Sequence, residues 1–217
     1  MSQEAAVERW TFGESPLAET VELAAAVRDL MATALAVEQP SDELRAAVAQ
    51  VVEANRRLAG QLPADPRVRV GPDAGPERRV YLDHSRDVGE YNACFPRYEL
   101  HAHDDRAEGS VEFPIVYEGP PGIVHGGFLA LFFDCVLQQL NCDLGVAGKT
   151  RTLALRYRRP VPILTALDVV ARRSFVENRI ESSGELLLDG TVMCEVEMSA
   201  VRSERAALPT WSPRRPA

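Results

Sequence analysis

The sequence GIVHGGFLALFFDCV, residues 122–136, decides the fold of this chain. It places a His-Gly-Gly turn before an almost wholly apolar run, and this pattern predicts a helix over residues 126–141 that is buried on all sides. One carboxylate, Asp134, lies in the middle of the predicted helix. Burying an ionised carboxylate without partners is costly. Asp134 therefore either has partners that satisfy it or has a chemical task.

The composition predicts a globular protein with one main domain and an appendage. The 217 residues are 46% hydrophobic and 26% charged, and the formal net charge is −8. This charge argues against a nucleic-acid-binding surface, although local basic clusters can hold a small phosphorylated ligand. The 4 cysteines form no CxxC pair and are interpreted as core residues in a reducing compartment. The sequence shows no signal peptide and no run of membrane-spanning length, which indicates a cytoplasmic protein.

Two helices are predicted in an N-terminal extension, residues 1–62. Ser15 and Pro16 resemble the N-cap and first position of one helix, and Ser41 and Gly60 bound the next. Together they predict a helical hairpin. The apolar stripe of the first helix, which is expected to be buried, consists of Leu23, Val27, Leu30, Ala34 and Val37.

The periodicity changes after a Pro- and Gly-rich linker, residues 63–78. Residues 79–205 contain runs of β-branched and aromatic residues bounded by turn formers, and residues 206–217 are expected to form a flexible tail. One long helix among strands joined by short turns predicts an α+β fold, in which an antiparallel sheet wraps around the central helix. The predicted strands are residues 79–84, 91–103, 110–117, 151–159, 167–177 and 186–202, the last interrupted at 189–190.

Three segments carry a resemblance to a known family. They are GPPGIVHGG at 119–127, Asp134, and TRTLALRYRRPVPI at 150–163. Asp134 follows His125 by nine positions, and Thr150 follows Asp134 by sixteen. This spacing resembles that of the hotdog-fold acyl-CoA thioesterases of the phenylacetate-pathway and mammalian thioesterase-superfamily type.

The resemblance covers roughly residues 81–203 and implies a hotdog fold. The implied activity is hydrolysis of an acyl-CoA to the free acid and CoA, in the broad setting of fatty acid metabolism, with no metal or redox cofactor. The implied partners are the acyl-CoA substrate and a second copy of the chain, in a homodimer or a higher homo-oligomer. The resemblance does not specify which acyl group the substrate carries.

The chemistry of the turn fits a thioester. The free backbone N–H groups at a helix N-terminus can stabilise a carbonyl oxygen that becomes negative, and Gly126 and Gly127 allow close approach of a substrate. Asp134 lies eight residues beyond Gly126, a rise of about 12 Å. Within one subunit, Asp134 therefore lies at the wrong end of its helix for a carbonyl held at Gly126. The resemblance implies a site between two helices of a dimer, one giving the Gly126 N–H and the other the Asp134 carboxylate.

The roles follow from this arrangement. Asp134 is expected to act either as a general base on water or as a nucleophile that forms a mixed anhydride. Thr150 is expected to hold the water or the carboxylate through its hydroxyl, and His125 to position the turn. One departure from the family is Gly119, which stands where many relatives carry an asparagine that assists the carbonyl contact. A second is the bulky VLQQ sequence that follows Cys135, where relatives usually place small residues.

Arginines beyond Thr150 are candidates for the CoA phosphates. Guanidinium groups suit phosphate because they are delocalised and bidentate. Strand alternation places Arg156 and Arg158 on one face and Arg159 on the other, so we expect only one set to contact the ligand.

Some features of the sequence also suggest functions other than thioester hydrolysis. A non-catalytic hotdog module that binds acyl-CoA or a protein partner would use the helix only as its core, and the missing asparagine at Gly119 motivates it. An acyl-CoA hydratase would need a paired Asp and His in its own motif. His101 and His103 share a strand face but lack a third metal ligand at a recognisable spacing. Cys135 is interpreted as a core residue rather than a thiol nucleophile.

Overall fold

A computed structural model describes residues 16–62, 87–143 and 146–203 of the chain. The predicted strand 79–84, the linker 63–78 and the tail 206–217 lie outside these residues. The helices are α1 (Ala18–Ala36), α2 (Asp42–Ala59), α3 (Val88–Tyr91) and α4 (Gly126–Asp143), with a 3-10 helix at Ile115–Tyr117. The strands are β1 (Tyr98–His103), β2 (Arg106–Glu112), β3 (Ala147–Tyr157), β4 (Ala166–Val176), β5 (Arg179–Leu188) and β6 (Thr191–Ser203).

The strands form one six-stranded sheet in the order β1-β2-β4-β5-β6-β3, and every neighbouring pair is antiparallel. Alternation along each strand turns one apolar row inward; in β4, Leu167 and Val169 are buried while Asp168 between them is exposed. The α4 helix packs on this inner face, where Phe132 and Phe133 are fully enclosed. The prediction of an antiparallel sheet around one central helix is confirmed.

The predicted strand bounds need correction at several places. Residues 186–202 form not one interrupted strand but the end of β5 and most of β6, which meet at a turn where Asp189 and Gly190 both have positive φ. The polar first half of β5 has few residues that favour strands, but it pairs with β4 and β6 on both sides, and this pairing overrides the weak propensity.

Two further segments are only partly extended. Within 110–117, β2 ends at Glu112, and a 3-10 turn follows Pro114, which has no N–H to donate to a ladder. Within 91–103, the strand begins only at Tyr98.

Within one chain, the central helix is not buried on all sides. Four residues spaced at helical intervals leave one stripe uncovered: Gly127 and Leu131 are exposed, and Asp134 and Gln138 are half-buried. Leu131 retains 46% of its surface. A single sheet covers only the side of a helix that faces it, and the remaining stripe faces away from the core.

The N-terminal helices begin and end near the predicted positions. The first prediction is wrong in detail, because Pro16 precedes the helix, which begins at Ala18 after an extended Leu17; Ser15 lies outside the described residues. The second is confirmed, since the Ser41 hydroxyl accepts the Leu44 N–H at 3.1 Å and Gly60 is the C-cap.

The predicted apolar stripe is not the buried side of α1. Leu23 is 50% exposed, and the buried residues are Ala24 and Arg28. The Arg28 guanidinium donates to the carbonyl oxygens of Phe95 at 2.8 Å, Gly89 at 2.5 Å and Asn92 at 3.0 Å. A polar contact therefore attaches α1 to the segment around α3, whereas α2 buries no residue. Within the described part of the chain, no helix is long and apolar enough to cross a membrane.

Candidate functional site

A hydrogen-bonded pair occupies the uncovered stripe of α4. The Thr150 hydroxyl, from β3, donates to Asp134 Oδ1 at 2.8 Å. Asp134 is half-buried and Thr150 is exposed, so the pair lies at the boundary between the core and the open face of the helix. Thr150 was expected to hold either the water or the carboxylate, and this geometry matches the second of these alternatives. An ionised carboxylate with one fixed donor keeps its second oxygen available.

A bulge in β3 turns Thr150 toward Asp134. Leu153 and Leu155 point inward, and strict alternation from them would turn Arg151 toward α4 and Thr150 away from it. Between Thr150 and Thr152 the pairing with β6 shifts by one residue. The extra residue changes the side on which the preceding residues lie. Thr150 therefore reaches the helix only because of this local irregularity.

The N-terminus of α4 forms the second part of the site. His125 Nδ1 accepts the Gly127 N–H at 3.0 Å, and the His125 N–H donates to the Tyr117 carbonyl at 2.8 Å. The ring acts as an N-cap, which requires Nδ1 to carry no proton. Among the described residues, no acceptor lies on the Gly126 N–H, so one free donor remains at the positive end of the helix.

Tyr157, which the sequence analysis missed, lies against Gly126. It has the same strand parity as Leu155, and its hydroxyl donates to the Gly126 carbonyl at 3.0 Å. A Cβ on Gly126 would approach the Tyr157 hydroxyl to 3.1 Å. The packing of Tyr157 is thus one reason for a glycine at position 126. The close approach of substrate expected from the sequence is a second. Alternation from Leu153 and Leu155 was the available signal for this contact.

Packing also explains the absence of an asparagine at Gly119. A Cβ on Gly119 would lie 3.0 Å from both Cα and Cβ of His125, so a larger side chain would displace the turn. The Gly119 N–H donates to the Ile123 carbonyl at 2.8 Å, which closes the loop before the helix. The loop before α4 therefore has no asparagine at position 119, and the free Gly126 N–H is the donor at its end.

Gln138 is a second residue whose position the sequence analysis did not interpret as part of the site. Its amide nitrogen donates to Thr150 Oγ1 at 2.8 Å. It follows Asp134 by four positions, and this helical spacing was the available signal. The other three residues of the VLQQ segment point into the core, where Val136 and Leu137 are fully buried and Gln139 donates to Asp87 at 2.6 Å.

The candidate arginines differ in their surroundings. Arg156 pairs with Glu195 across β3 and β6 on the sheet face opposite α4, and Arg158 forms an ion pair with Glu195 at 2.7 Å. Arg159 is exposed, and no ion pair to it occurs within the described residues. Among the described residues neither Arg156 nor Arg159 has an ion pair, but Arg156 lies on the sheet face opposite α4, so Arg159 is the cation of this group better placed to meet an anionic ligand there.

The weaker candidates receive no support from the geometry. Burial, together with the charge of Asp134, raises the pKa of the Cys135 thiol to about 11, which keeps it protonated near neutral pH. His101 and His103 are exposed, and the described residues contain no group of three His, Cys, Asp or Glu side chains suited to a metal ion.

One chain therefore brings together two separate clusters, Asp134 with Thr150 and Gln138, and the Gly126 N–H with Tyr157 and its His125 cap. Gly126 and Asp134 lie about 12 Å apart along α4, so a single small carbonyl cannot touch both within one helix.

Solved structures of other proteins are similar to this chain in fold. No family model matches the chain. A solved thioesterase superfamily protein is 27% identical over 89% of this chain and 96% of its own length, with a TM-score of 0.71. A phenylacetic acid degradation-related protein from Ralstonia eutropha is 24% identical and covers 48% of this chain and 83% of its own, with a TM-score of 0.44. A hypothetical thioesterase protein with coenzyme A from Streptococcus pneumoniae is 15% identical and covers 49% of this chain and 89% of its own, with a TM-score of 0.47. The fold assignment depends on the first match, and with it the resemblance found in the sequence is confirmed: the chain has the hotdog fold of the thioesterase superfamily.

Proposed function

We propose that this protein is a thioester hydrolase that cleaves acyl-CoA to the free acid and CoA. The observation that supports this most directly is the Asp134–Thr150 pair at 2.8 Å on the one stripe of α4 that the core leaves open. A carboxylate kept only for stability would more commonly be solvated or paired with a cation. Here it is held by a hydroxyl and faces the space where a second molecule can bind.

Asp134 supplies the reactive group. As a general base it takes a proton from water while the water oxygen attacks the thioester carbonyl; the C–S bond then breaks and CoA leaves as the thiolate, which takes up a proton. As a nucleophile it attacks the carbonyl itself, the C–S bond breaks as CoA leaves as the thiolate and takes up a proton, and water hydrolyses the resulting anhydride to the free acid and the Asp134 carboxylate. Both routes place negative charge on the carbonyl oxygen. The free Gly126 N–H, assisted by the helix dipole, stabilises that charge.

The complete site requires two copies of the chain. The Gly126 N–H and the Asp134 carboxylate of one helix are about 12 Å apart. Two antiparallel α4 helices from different copies can bring the Gly126 N–H of one copy beside the Asp134 carboxylate of the other. The open stripe of Gly127, Leu131, Asp134 and Gln138 is the surface that such a contact would cover. The working unit is thus a homodimer, or a larger oligomer built from it.

Arg159 binds the CoA phosphates. It lies two residues beyond Tyr157, whose hydroxyl contacts Gly126, so it is near the end of α4 where the thioester carbonyl binds. Arg158 is already paired with Glu195 and serves the sheet.

A second candidate function is that of a hotdog module that binds acyl-CoA without cleaving it. Its support is that the described carbonyl-contact region offers one free backbone N–H, and that Gly119 has no room for a further side-chain donor.

The test is thiol release from a series of acyl-CoA substrates of increasing chain length, including aromatic ones. Turnover with at least one of them is expected. Binding of acyl-CoA by calorimetry without release of thiol from any substrate would reject hydrolysis and favour the binding module.

A further inference from the structure

A polar chain runs from the C-terminal half of α4 to Asp134. The Asn141 amide nitrogen lies 3.4 Å from Gln138 Oε1, the Gln138 amide nitrogen donates to Thr150 Oγ1 at 2.8 Å, and the Thr150 hydroxyl donates to Asp134 Oδ1 at 2.8 Å. The Asn141 contact is long, so the two bonds at Thr150 carry the argument. Both Asp134 and Gln138 lie on the open stripe of the helix.

The chemistry of the groups fixes the direction of this chain. An ionised carboxylate only accepts hydrogen bonds, so the single proton of Thr150 must point to Asp134 for that bond to exist. The Thr150 oxygen can then only accept from Gln138, and the Gln138 amide must present its nitrogen to it. Because Gln138 donates to the Thr150 oxygen, the Thr150 hydroxyl proton cannot point toward Gln138.

Thr150 has a competing acceptor. Met198 Sδ lies 3.7 Å from Thr150 Oγ1, and a thioether sulfur is a weak acceptor. A bond donated into the hydroxyl oxygen also polarises the O–H group and strengthens the bond that the group donates. Gln138 thus acts on Asp134 through Thr150, by orienting and strengthening one hydrogen bond to the ionised carboxylate.

We propose that Gln138 is a positioning residue of the site, which holds the Thr150 hydroxyl as the donor to Asp134. The kinetic part of this inference depends on the proposed hydrolase function. The hydrogen-bond part does not, because it concerns the ionisation of Asp134 in the unliganded protein.

Gln138→Met and Gln138→Glu test the proposal in different ways. Methionine has similar length but no donor, so it removes the bond without adding charge. Glutamate can only accept, so it draws the Thr150 proton away from Asp134 and adds a like charge nearby. A carboxylate that loses a donor, or gains a negative neighbour, takes up a proton more readily. Gln50→Met on the exposed surface of α2 makes the same chemical change far from the site and serves as the control.

Two measurements are made on the same preparations. A carbon NMR titration of the Asp134 carboxyl group is expected to show its midpoint moving to higher pH in Gln138→Met, and further in Gln138→Glu, while Gln50→Met matches wild type. Turnover of Gln138→Met is expected to fall by about 3- to 10-fold, the rate equivalent of one hydrogen bond. In a Thr150→Val background the same change should have no further effect on turnover, because the connection to Asp134 is already absent.

The outcomes separate the two proposals. An unchanged midpoint in both Gln138 variants, with folding shown by thermal melting, overturns the positioning role whether or not the protein hydrolyses thioesters. A shifted midpoint in a protein that turns over no acyl-CoA supports the positioning role and rejects the hydrolase. Additive losses in the Thr150→Val background would show that Gln138 acts by another route and would also overturn the proposal.

Discussion

In the proposed site the reactive group is one carboxylate oxygen of Asp134, and an amide substitution separates a chemical role of this residue from a structural one. The Asp134→Asn side chain keeps the size of the group and can still accept the Thr150 hydroxyl, but it has no charge. We expect turnover to fall by at least about 100-fold, the low end of what a general base contributes. Thiol release and acyl-CoA binding are measured together, and binding should be largely kept.

Thermal unfolding of the same preparation tests the alternative that Asp134 has only a structural role. If Asp134 only stabilises the helix, the asparagine variant melts at a different temperature and retains wild-type turnover per folded molecule. Asp29→Asn, an exposed change on α1, controls for the effect of charge removal alone. A stable and fully active Asp134→Asn protein would end the catalytic assignment.

Two neighbouring arginines offer a matched comparison of ligand binding. Arg159 has no ion pair in the described residues, whereas Arg158 is paired with Glu195 at 2.7 Å. Arg159→Ala is expected to raise the KM for acyl-CoA by about tenfold, the effect of one lost charge-assisted hydrogen bond, with kcat little changed. Arg158→Ala should leave KM near wild type. Equal effects of the two substitutions, or none, would show that the free cation does not contact the substrate.

At the scale of single residues, the sequence predicted the Asp134–Thr150 pair and did not predict why the pair can form. The resemblance to the thioesterase family, in which the spacing of sixteen residues was one element, indicated the partners. The β3 bulge that turns Thr150 inward depends on how β3 pairs with β6, more than forty positions further on, and local alternation points the opposite way. The contacts of Tyr157 and Gln138 depend on three-dimensional packing around α4. The strand alternation of Tyr157 and the helical spacing of Gln138 from Asp134 are consistent with these contacts but do not predict them.

At the scale of elements, α1 is attached by a buried cation and not by its apolar stripe. Arg28 is 3% exposed and donates to three backbone carbonyls of the segment around α3. The same helix packs against the 3-10 turn that contains Tyr117, whose carbonyl accepts the His125 N–H. The attachment of α1 therefore supports the loop that leads into the candidate site.

Arg28→Met should destabilise the protein markedly. The substitution removes the donors and leaves the buried carbonyl oxygens of Gly89 and Phe95 without this partner, at a cost of roughly 2 kcal/mol or more, while the Asn92 carbonyl still accepts the Phe95 N–H. Urea unfolding followed by circular dichroism measures the loss. Arg45→Met, at an exposed arginine of α2 that is paired with Asp42, should change the free energy of unfolding little. Equal losses in the two variants would show that α1 is not attached in this way.

Helices were easier to predict from the sequence than strands, and the reason is physical. The α2 helix has a side-chain N-cap and a glycine C-cap within its own sequence, so its bounds are local properties. The first half of β5 is stabilised by neighbours on both sides and has almost no local signal. The Arg28 anchor was missed because a charged residue in a helix is ordinarily solvated, and only the facing carbonyls make its burial favourable.

At the scale of the whole molecule, the distance between the two clusters of the site predicts a particular form of cooperation between subunits. Gly126→Pro removes the free N–H, and proline is well tolerated at the first position of a helix, but its Cβ requires the exposed Tyr157 ring to shift by a few tenths of an ångström. Asp134→Asn removes the carboxylate. Each variant alone should be nearly inactive, because every site in its dimer lacks one of the two groups.

Mixing the two variants should restore activity. If the variants are unfolded and refolded together in equal amounts, half of the dimers contain one chain of each kind, and in these one of the two shared sites has both the Gly126 N–H and the Asp134 carboxylate. The mixture should then reach about a quarter of wild-type activity by symmetry, and sedimentation should show dimers or larger assemblies. If each site were complete within one chain, the mixture would remain as inactive as its components. That result, obtained with folded and dimeric variants, would reject the shared site while leaving the hotdog fold of the chain untouched.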